Sequence, residues 1–470
     1  MTIQVYNTLN RKTEEFEPLH GNRVNMFVCG VTPYDYTHLG HAKTYVAFDT
    51  IAKYLRYRGY SVFYVQNVTD VDDNLINRSN ESDIPVPDLV KKYFTEFLDD
   101  MDALGVDSIN IYPRATEYIP EILDQIKGLI EKGFAYESNG NVYFEVNKFP
   151  NFGKLSKQVL DKLRAGARVE IDENKKNPED FALWKAEKPG EPTWDSPWGK
   201  GRPGWHIEDT AISMAYFGDQ YDIHGGATEL MFPHHESEIA QAEALTGKEP
   251  FVKYWLHTGI LNVDGEKMSK SLKNFWRVKE ALEDYDPAVL RFFLVNAHYR
   301  SPVDFSNELL EEAKQGYERL VETVQNVQFA LEWQAKEERG SKDEEVNNAV
   351  KEVMHKFEES MDNDFNTREA ISHLFTFSTK INTALESGLA KGTLQKVLDV
   401  YETTGSVLGL FGREMQKDSV VDGLMDFLVE MRGKAREAKD FKVSDEIRDR
   451  LADIGILLED TKDGPRWKRR

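Results

Sequence analysis

Val24-Asn25-Met26-Phe27-Val28-Cys29-Gly30-Val31-Thr32-Pro33-Tyr34-Asp35-Tyr36-Thr37-His38-Leu39-Gly40-His41 opens as a short apolar run and closes in glycine, hydroxyl and imidazole residues. An apolar run of this length, Val24 to Val28, predicts a buried strand whose C-terminal end carries polar groups. Residues 61–68 repeat the pattern and end in Thr69-Asp70-Val71-Asp72-Asp73. Between the two runs, Val46, Ile51, Tyr54 and Leu55 recur at helical spacing over Thr44 to Tyr57, and Gly59 stands where a helix C-cap is expected. Strand, helix and strand in so short a stretch predict a parallel βαβ unit. In such sheets ligands bind beyond the carboxyl ends of the strands, so Cys29, His38, His41 and the 69–73 segment should converge.

Working outward, residues 150–205 are dense in Lys, Gly, Pro and Trp, the punctuation of an insertion between two halves of a nucleotide-binding fold. From Asn307 onward the pattern is helical, with Leu309, Leu310, Ala313, Tyr317, Leu320 and Val321 expected on one face. The fold class that follows is α/β: a Rossmann-type parallel-sheet domain with an insertion, then an α-helical bundle and a small C-terminal α+β module. Boundaries are expected at 1–115 and 201–306 for the two sheet halves, 116–200 for the insertion, 307–411 for the bundle and 420–470 for the tail.

The 470 residues include 59 Lys and Arg against 81 Asp and Glu, a net charge of −22, with 40% hydrophobic residues. That excludes a stapled mini-protein, a disordered chain and a coat for bulk nucleic acid, although local basic faces remain open at 154–176 and at Trp467-Lys468-Arg469-Arg470. No apolar stretch approaches the roughly 18 to 20 residues of a membrane span, and a cytoplasmic location is expected. Cys29 is the single cysteine, so any metal site must mix its thiolate with other ligands.

Two segments could carry phosphate chemistry. His38-Leu39-Gly40-His41 sets two imidazoles around a glycine directly before the expected helix, where backbone N–H groups bind phosphate. Glu266-Lys267-Met268-Ser269-Lys270-Ser271 places two lysines three apart in a polar loop able to follow a polyphosphate. Each is weak alone, since loop histidines and Lys/Ser loops are common; together and in this order they are specific. A third segment, Phe232-Pro233-His234-His235-Glu236-Ser237-Glu238, puts His234 and Glu238 on one helical face at i, i+4, a spacing that chelates but that is more often an ordinary surface pair.

The HLGH and KMSKS segments resemble the paired signatures of class I aminoacyl-tRNA synthetases. FVCGVTPYDYTHLGHAKTYVAFD, QNVTDVDDNLI, PGWHIED, YDIHGG, FPHHESEIAQ and the tail SDEIRDRLADIGILLEDTKDGPRWK are similar to the cysteinyl-tRNA synthetase family, with likeness over nearly the whole chain. The resemblance implies ATP-dependent ligation of L-cysteine to cysteine tRNA through a cysteinyl adenylate, by a monomer. It implies His38, His41, Lys267 and Lys270 as catalytic residues, with Gly40, His41, Lys267, Ser269 and Lys270 binding ATP, a substrate that comes with Mg2+. Cys29, Thr69, Trp205 and Glu229 would then line the amino-acid site. A zinc ion would be held by Cys29, Asp209, His234 and Glu238, and would prefer the thiol of cysteine to the hydroxyl of serine.

The family has a further cysteine where Trp205-His206-Ile207-Glu208-Asp209 ends in aspartate; carboxylate is a permissible but harder zinc ligand. Glu229 stands where the family usually has aspartate, and Lys273 where glycine is common. The alternatives are a cysteine:amino-sugar ligase of the same catalytic fold, a non-catalytic synthetase-like RNA-binding regulator, and a synthetase for another amino acid.

Overall fold

The computed structural model describes residues 2–158, 173–263, 265–267, 275–412, 419–453, 456–461 and 464–469. They divide into two compact units, Met1–Leu310 with Ser360–Thr367, and Glu311–Glu359 with Arg368–Arg470.

The first unit is built on a parallel sheet with strand order Val252–Thr258, Tyr221–Ala227, Arg23–Val31, Ser61–Val68. Its strands are apolar on both faces, as parallel strands covered by helices must be: Val24, Met26, Phe27, Val28, Tyr64, Val65, Ile223 and Trp255 are all buried. The Arg23–Val31 and Ser61–Val68 strands and the helix between them form the expected βαβ unit. That helix runs Leu39–Tyr57, five residues longer at its start than apolar periodicity suggests. Its N-cap is His38, whose side chain accepts from the His41 N–H, so Gly40 and His41 belong to the first turn rather than to the loop before it.

Pairing between the two strands shifts from Val28↔Gln66 to Val31↔Val68, so Cys29 and Gly30 together oppose Asn67. This bulge needs its glycine: a Cβ on residue 30 would lie 1.6 Å from the Asn67 carbonyl oxygen. Between the sheet halves, Ile119–Glu131 and an antiparallel meander of Ala135–Ser138, Asn141–Phe144, Phe181–Ala186 and Gly201–Pro203 share a core containing Ile126, Phe144 and Trp184. A short strand, Leu261–Val263, pairs with Glu266–Lys267 and with Val303–Phe305 and leads into the KMSKS segment.

In the second unit, helices Ser341–Asp362, Thr367–Leu385 and Lys391–Leu408 follow Asn307–Trp333, which starts in the first. The buried stripe of Asn307–Trp333 is Leu310, Ala313, Tyr317, Leu320 and Val324. Leu309, expected on that stripe, is 36% exposed because it sits one residue, or about 100°, off the face, and Val321 is half-buried for the same reason. Helices Ser419–Glu437 and Phe441–Asp453 precede a hairpin of Ile456–Thr461 and Gly464–Arg469, the small α+β tail. No helix of the described residues is long and apolar enough to cross a membrane.

Candidate active site

Beyond the carboxyl ends of the parallel strands lies a cavity of about 330 Å³. The bulge turns Cys29 out of strand alternation and toward the start of the Trp205–Phe217 helix, which brings Asp209, and the start of the His234–Thr246 helix, which brings His234 and Glu238. Cys29 Sγ lies 3.2 Å from Asp209 Oδ2 and 4.0 Å from Glu238 Oε1. His234 Nε2 lies 3.1 Å from Asp209 Oδ2 and 3.2 Å from Glu238 Oε1. All four side chains are buried, and their donor atoms lie within 4.8 Å of one another.

These groups fit a divalent cation. Ligand bonds of about 2.0 to 2.3 Å in a tetrahedron place donor atoms roughly 3.3 to 3.8 Å apart, close to the spacings observed. A cation would also balance the charge. Among the described residues no Lys or Arg pairs with Cys29, Asp209 or Glu238, and Glu238 Oε2 makes no hydrogen bond, its neighbour being His224 Nε2 at 3.5 Å. Burial, and then the carboxylates of Asp209 and Glu238, push the Cys29 thiol well up; burial, and then Asp209 and Glu208, do the same to Glu238. Such a set is stable only with protons or with an ion.

Further imidazoles surround it. His235 Nε2 lies 3.0 Å and His224 Nε2 3.4 Å from Cys29 Sγ, so Cys29, His224, His235 and Glu238 form an overlapping candidate ligand set. Tyr221 OH meets His224 Nδ1 at 2.5 Å, and His235 Nδ1 meets His257 Nε2 at 2.8 Å. Burial lowers the pKa of His224 and His235 well below the usual imidazole range, and that of His257 to about 3, keeping the rings neutral.

Asn67 and Thr69 close the floor, Asn67 Nδ2 donating to Asp209 Oδ1 at 2.6 Å and Thr69 Oγ1 to Glu208 Oε1 at 2.8 Å. Trp205 stacks on His234, centroids 4.4 Å apart at 20°. His38, Gly40, His41, Thr69, Trp205 and Glu229 all line the cavity with Cys29, Asp209 and His234. The His38 and His41 rings stack at 3.7 Å. Glu229 lies in the short turn Thr228–Met231 and is exposed at the rim.

Lys267 is placed by strand pairing with Asn262; Ser269, Lys270 and Lys273 lie outside the described residues.

The sequence does not single out Asn67, Glu208, His224 or His235, although each stands inside a segment that carries the resemblance, QNVTDVDDNLI, PGWHIED, YDIHGG and FPHHESEIAQ. Nor does it single out Lys43, whose buried Nζ donates to the carbonyls of Gly259 at 2.6 Å and Tyr299 at 3.1 Å, burial lowering its pKa to about 8. Lys43 thereby ties the first helix to the strand that leads into the KMSKS segment.

Residues 15–315 match the model of the tRNA synthetases class I (C) catalytic domain, and residues 356–412 match the DALR domain. The cysteine–tRNA ligase of Thermococcus onnurineus (strain NA1) is 50% identical over all of this chain and 99% of its own length. That of Geobacter sulfurreducens (strain ATCC 51573 / DSM 12127 / PCA) is 47% identical over the whole of both chains. Among solved structures, methionyl-tRNA synthetase of Mycobacterium tuberculosis bound by methionyl-adenylate superposes with a TM-score of 0.60 at 14% identity, over 82% of this chain and 90% of that one. The LeuRS of Agrobacterium radiobacter K84, in a ternary complex with tRNA, superposes with a TM-score of 0.62 at 10% identity, over 86% of each chain. At such identities these two likenesses concern the fold alone.

Proposed function

The chain belongs to the cysteine–tRNA ligase family, whose catalytic domain is that of class I aminoacyl-tRNA synthetases, and from that premise we propose that it activates L-cysteine with ATP and esterifies cysteine tRNA. The observation that carries this reading is the convergence of Cys29, Asp209, His234 and Glu238, the first three of which line one cavity with His38, Gly40 and His41. A charged donor set suited to a thiol and a helix N-terminus suited to phosphate thus face one space.

The cysteine carboxylate attacks the α-phosphate of ATP and pyrophosphate leaves; the 2′-hydroxyl of the terminal adenosine of the tRNA then attacks the carbonyl carbon of the adenylate, AMP leaves, and the hydroxyl proton is released. His38 Nδ1 accepts the His41 N–H at 3.3 Å, so in the neutral ring the proton sits on Nε2, the atom that would donate to a phosphoryl oxygen. Gly40 and His41 add the first-turn backbone of the helix to the same anion site, and Lys267, Ser269 and Lys270 of the KMSKS segment would hold the β and γ phosphates of Mg2+-bound ATP. Glu229 at the rim offers a carboxylate to the substrate ammonium, and Thr69 and Trp205 wall the amino-acid site. Cys29, Asp209, His234 and Glu238 would hold zinc, which when bound supplies positive charge and a preference for sulfur over a hydroxyl oxygen.

Positioning by the sheet and electrostatic stabilisation then account for the rate without a covalent enzyme intermediate. The bundle and tail, expected at 307–411 and 420–470, are assigned to tRNA, and the match of 356–412 to the DALR domain favours this over the sugar-ligase reading. A monomer in the cytoplasm is the proposed form of the chain. The test is charging of total tRNA with labelled cysteine, serine run in parallel. Cysteine-only charging is expected; serine charging would mark Asp209 as a change in specificity, and no charging by folded protein would overturn the reading.

A further inference from the structure

Asn67 has no part in the reaction above, yet it stands between two elements that build the site. It is 1% exposed, near the end of the Ser61–Val68 strand and opposite the Cys29-Gly30 bulge. Its Oδ1 accepts the Gly30 N–H at 2.7 Å. That contact fixes which way the amide faces, because a backbone N–H requires an oxygen opposite it. Nδ2 therefore points the other way, to Asp209 Oδ1 at 2.6 Å, with Thr69 Oγ1 further off at 3.5 Å. The second carboxylate oxygen, Asp209 Oδ2, is the one that faces Cys29 Sγ and His234 Nε2.

A carboxylate differs from a thiolate in having two donor atoms. Free to turn, it can give both oxygens to one ion and so occupy two positions around it. We propose that Asn67 is the positioning residue for Asp209: by holding Oδ1 it limits the carboxylate to one donor atom, Oδ2, and leaves a position at the ion for the substrate sulfur. The inference rests on the reading of Asp209 as a metal ligand. It also explains how aspartate can stand here without closing the site, since a single carboxylate oxygen directed at the ion takes up one position, as a cysteine sulfur would.

The experiment strips the full chain with a chelator and titrates it with Co2+, reading affinity by competition with a chromogenic chelator and coordination from the visible absorption. Asn67→Ala should weaken Co2+ binding about 10- to 100-fold, the usual cost of removing a partner that orients a ligand. The visible bands should also weaken as Asp209 takes a second position. In an Asp209→Cys background, where no second oxygen needs holding, the same substitution should change affinity by no more than about twofold.

Equal losses in both backgrounds, or failure to fold in both, would overturn the proposal and reduce Asn67 to a support for the Gly30 bulge. Asn67→Asp, which keeps an acceptor for the Gly30 N–H and lacks the donor, serves as the second variant with the same two outcomes. If Asp209→Ala binds Co2+ as tightly as the native chain, the ligand reading itself fails, the ion resting on Cys29, His224, His235 and Glu238.

Discussion

His206 Nδ1 and His234 Nδ1 face each other at 2.8 Å in a buried contact. One of the two must carry the proton between them. Burial, and then the neighbouring His234, push the His206 pKa well down and keep that ring neutral, able to accept from a His234 that carries its proton on Nδ1. That leaves His234 Nε2, which points at Asp209 and Glu238, with its lone pair available to an ion.

Metal removal is the first consequence. A site of three acidic groups and one such imidazole should hold one zinc per chain, measured by elemental analysis. At 100 times Kd the bound ion adds about 2.7 kcal/mol to the unit that holds it. Chelation should therefore lower the melting transition of that unit by about 4 °C. His234→Ala should lose the metal and raise KM for cysteine more than KM for ATP. Equal rises in both constants would make His234 structural.

Lys270→Ala should slow cysteine-dependent pyrophosphate exchange by about 100-fold or more, the scale of losing an oriented charge in the transition state. Unchanged exchange would remove Lys270 from the chemistry.

Gly30→Ala should be among the costliest single substitutions in the chain. The added carbon meets backbone, the Asn67 carbonyl at 1.6 Å, and backbone within paired strands cannot step aside. A loss of more than about 3 kcal/mol is expected from urea unfolding. Gly59→Ala, at φ +87° with nothing within 4 Å, should cost only about 1 to 2 kcal/mol. A similar cost for both would contradict the close approach.

Acid should unfold the first unit partly through Asp49. Burial pushes this carboxyl up, but Arg291 at 2.6 Å and Lys53 at 2.8 Å outweigh it and hold it below the usual range. A depressed carboxyl adds stability that is fully present above its unfolded pKa of about 3.9 and is lost as the pH falls through the folded value. Arg291→Met should destabilise by about 3 to 5 kcal/mol at pH 7, leaving a buried charge without its closest partner. The gap to the native chain should narrow below about pH 4, followed by urea melts across pH 3 to 7. A gap constant with pH would exclude the ion pair as its cause.

The βαβ unit was legible because its apolar runs, helical period and Gly59 all agree, and the imidazoles at 38 and 41 because their spacing is local. The start of the first helix was not, since its cap is an imidazole rather than the usual hydroxyl or carboxylate and a glycine occupies its first turn. Cys29, Asp209, His234 and Glu238 could be drawn together only by resemblance; spacing suggests no more than the i, i+4 pair. Asn67, His224 and His235 escaped notice because their meaning lies in partners far away in sequence, such as Asn67 with Asp209 and His235 with Cys29. Leu309 was misplaced by a single step around its helix.

The order of strands in the parallel sheet has a consequence for the chain as it is made. Arg23–Val31 sits between Ser61–Val68 and Tyr221–Ala227, so one of its edges is covered early and the other by a strand about 190 residues later. At roughly 5 to 20 residues per second a ribosome needs on the order of 10 to 40 seconds to deliver that strand. Throughout that interval Cys29 is exposed beside an open strand edge, before Asp209, His234 and Glu238 have all been synthesised. Loading of the proposed metal would then be a late event of biogenesis, open only once all four donors have been made.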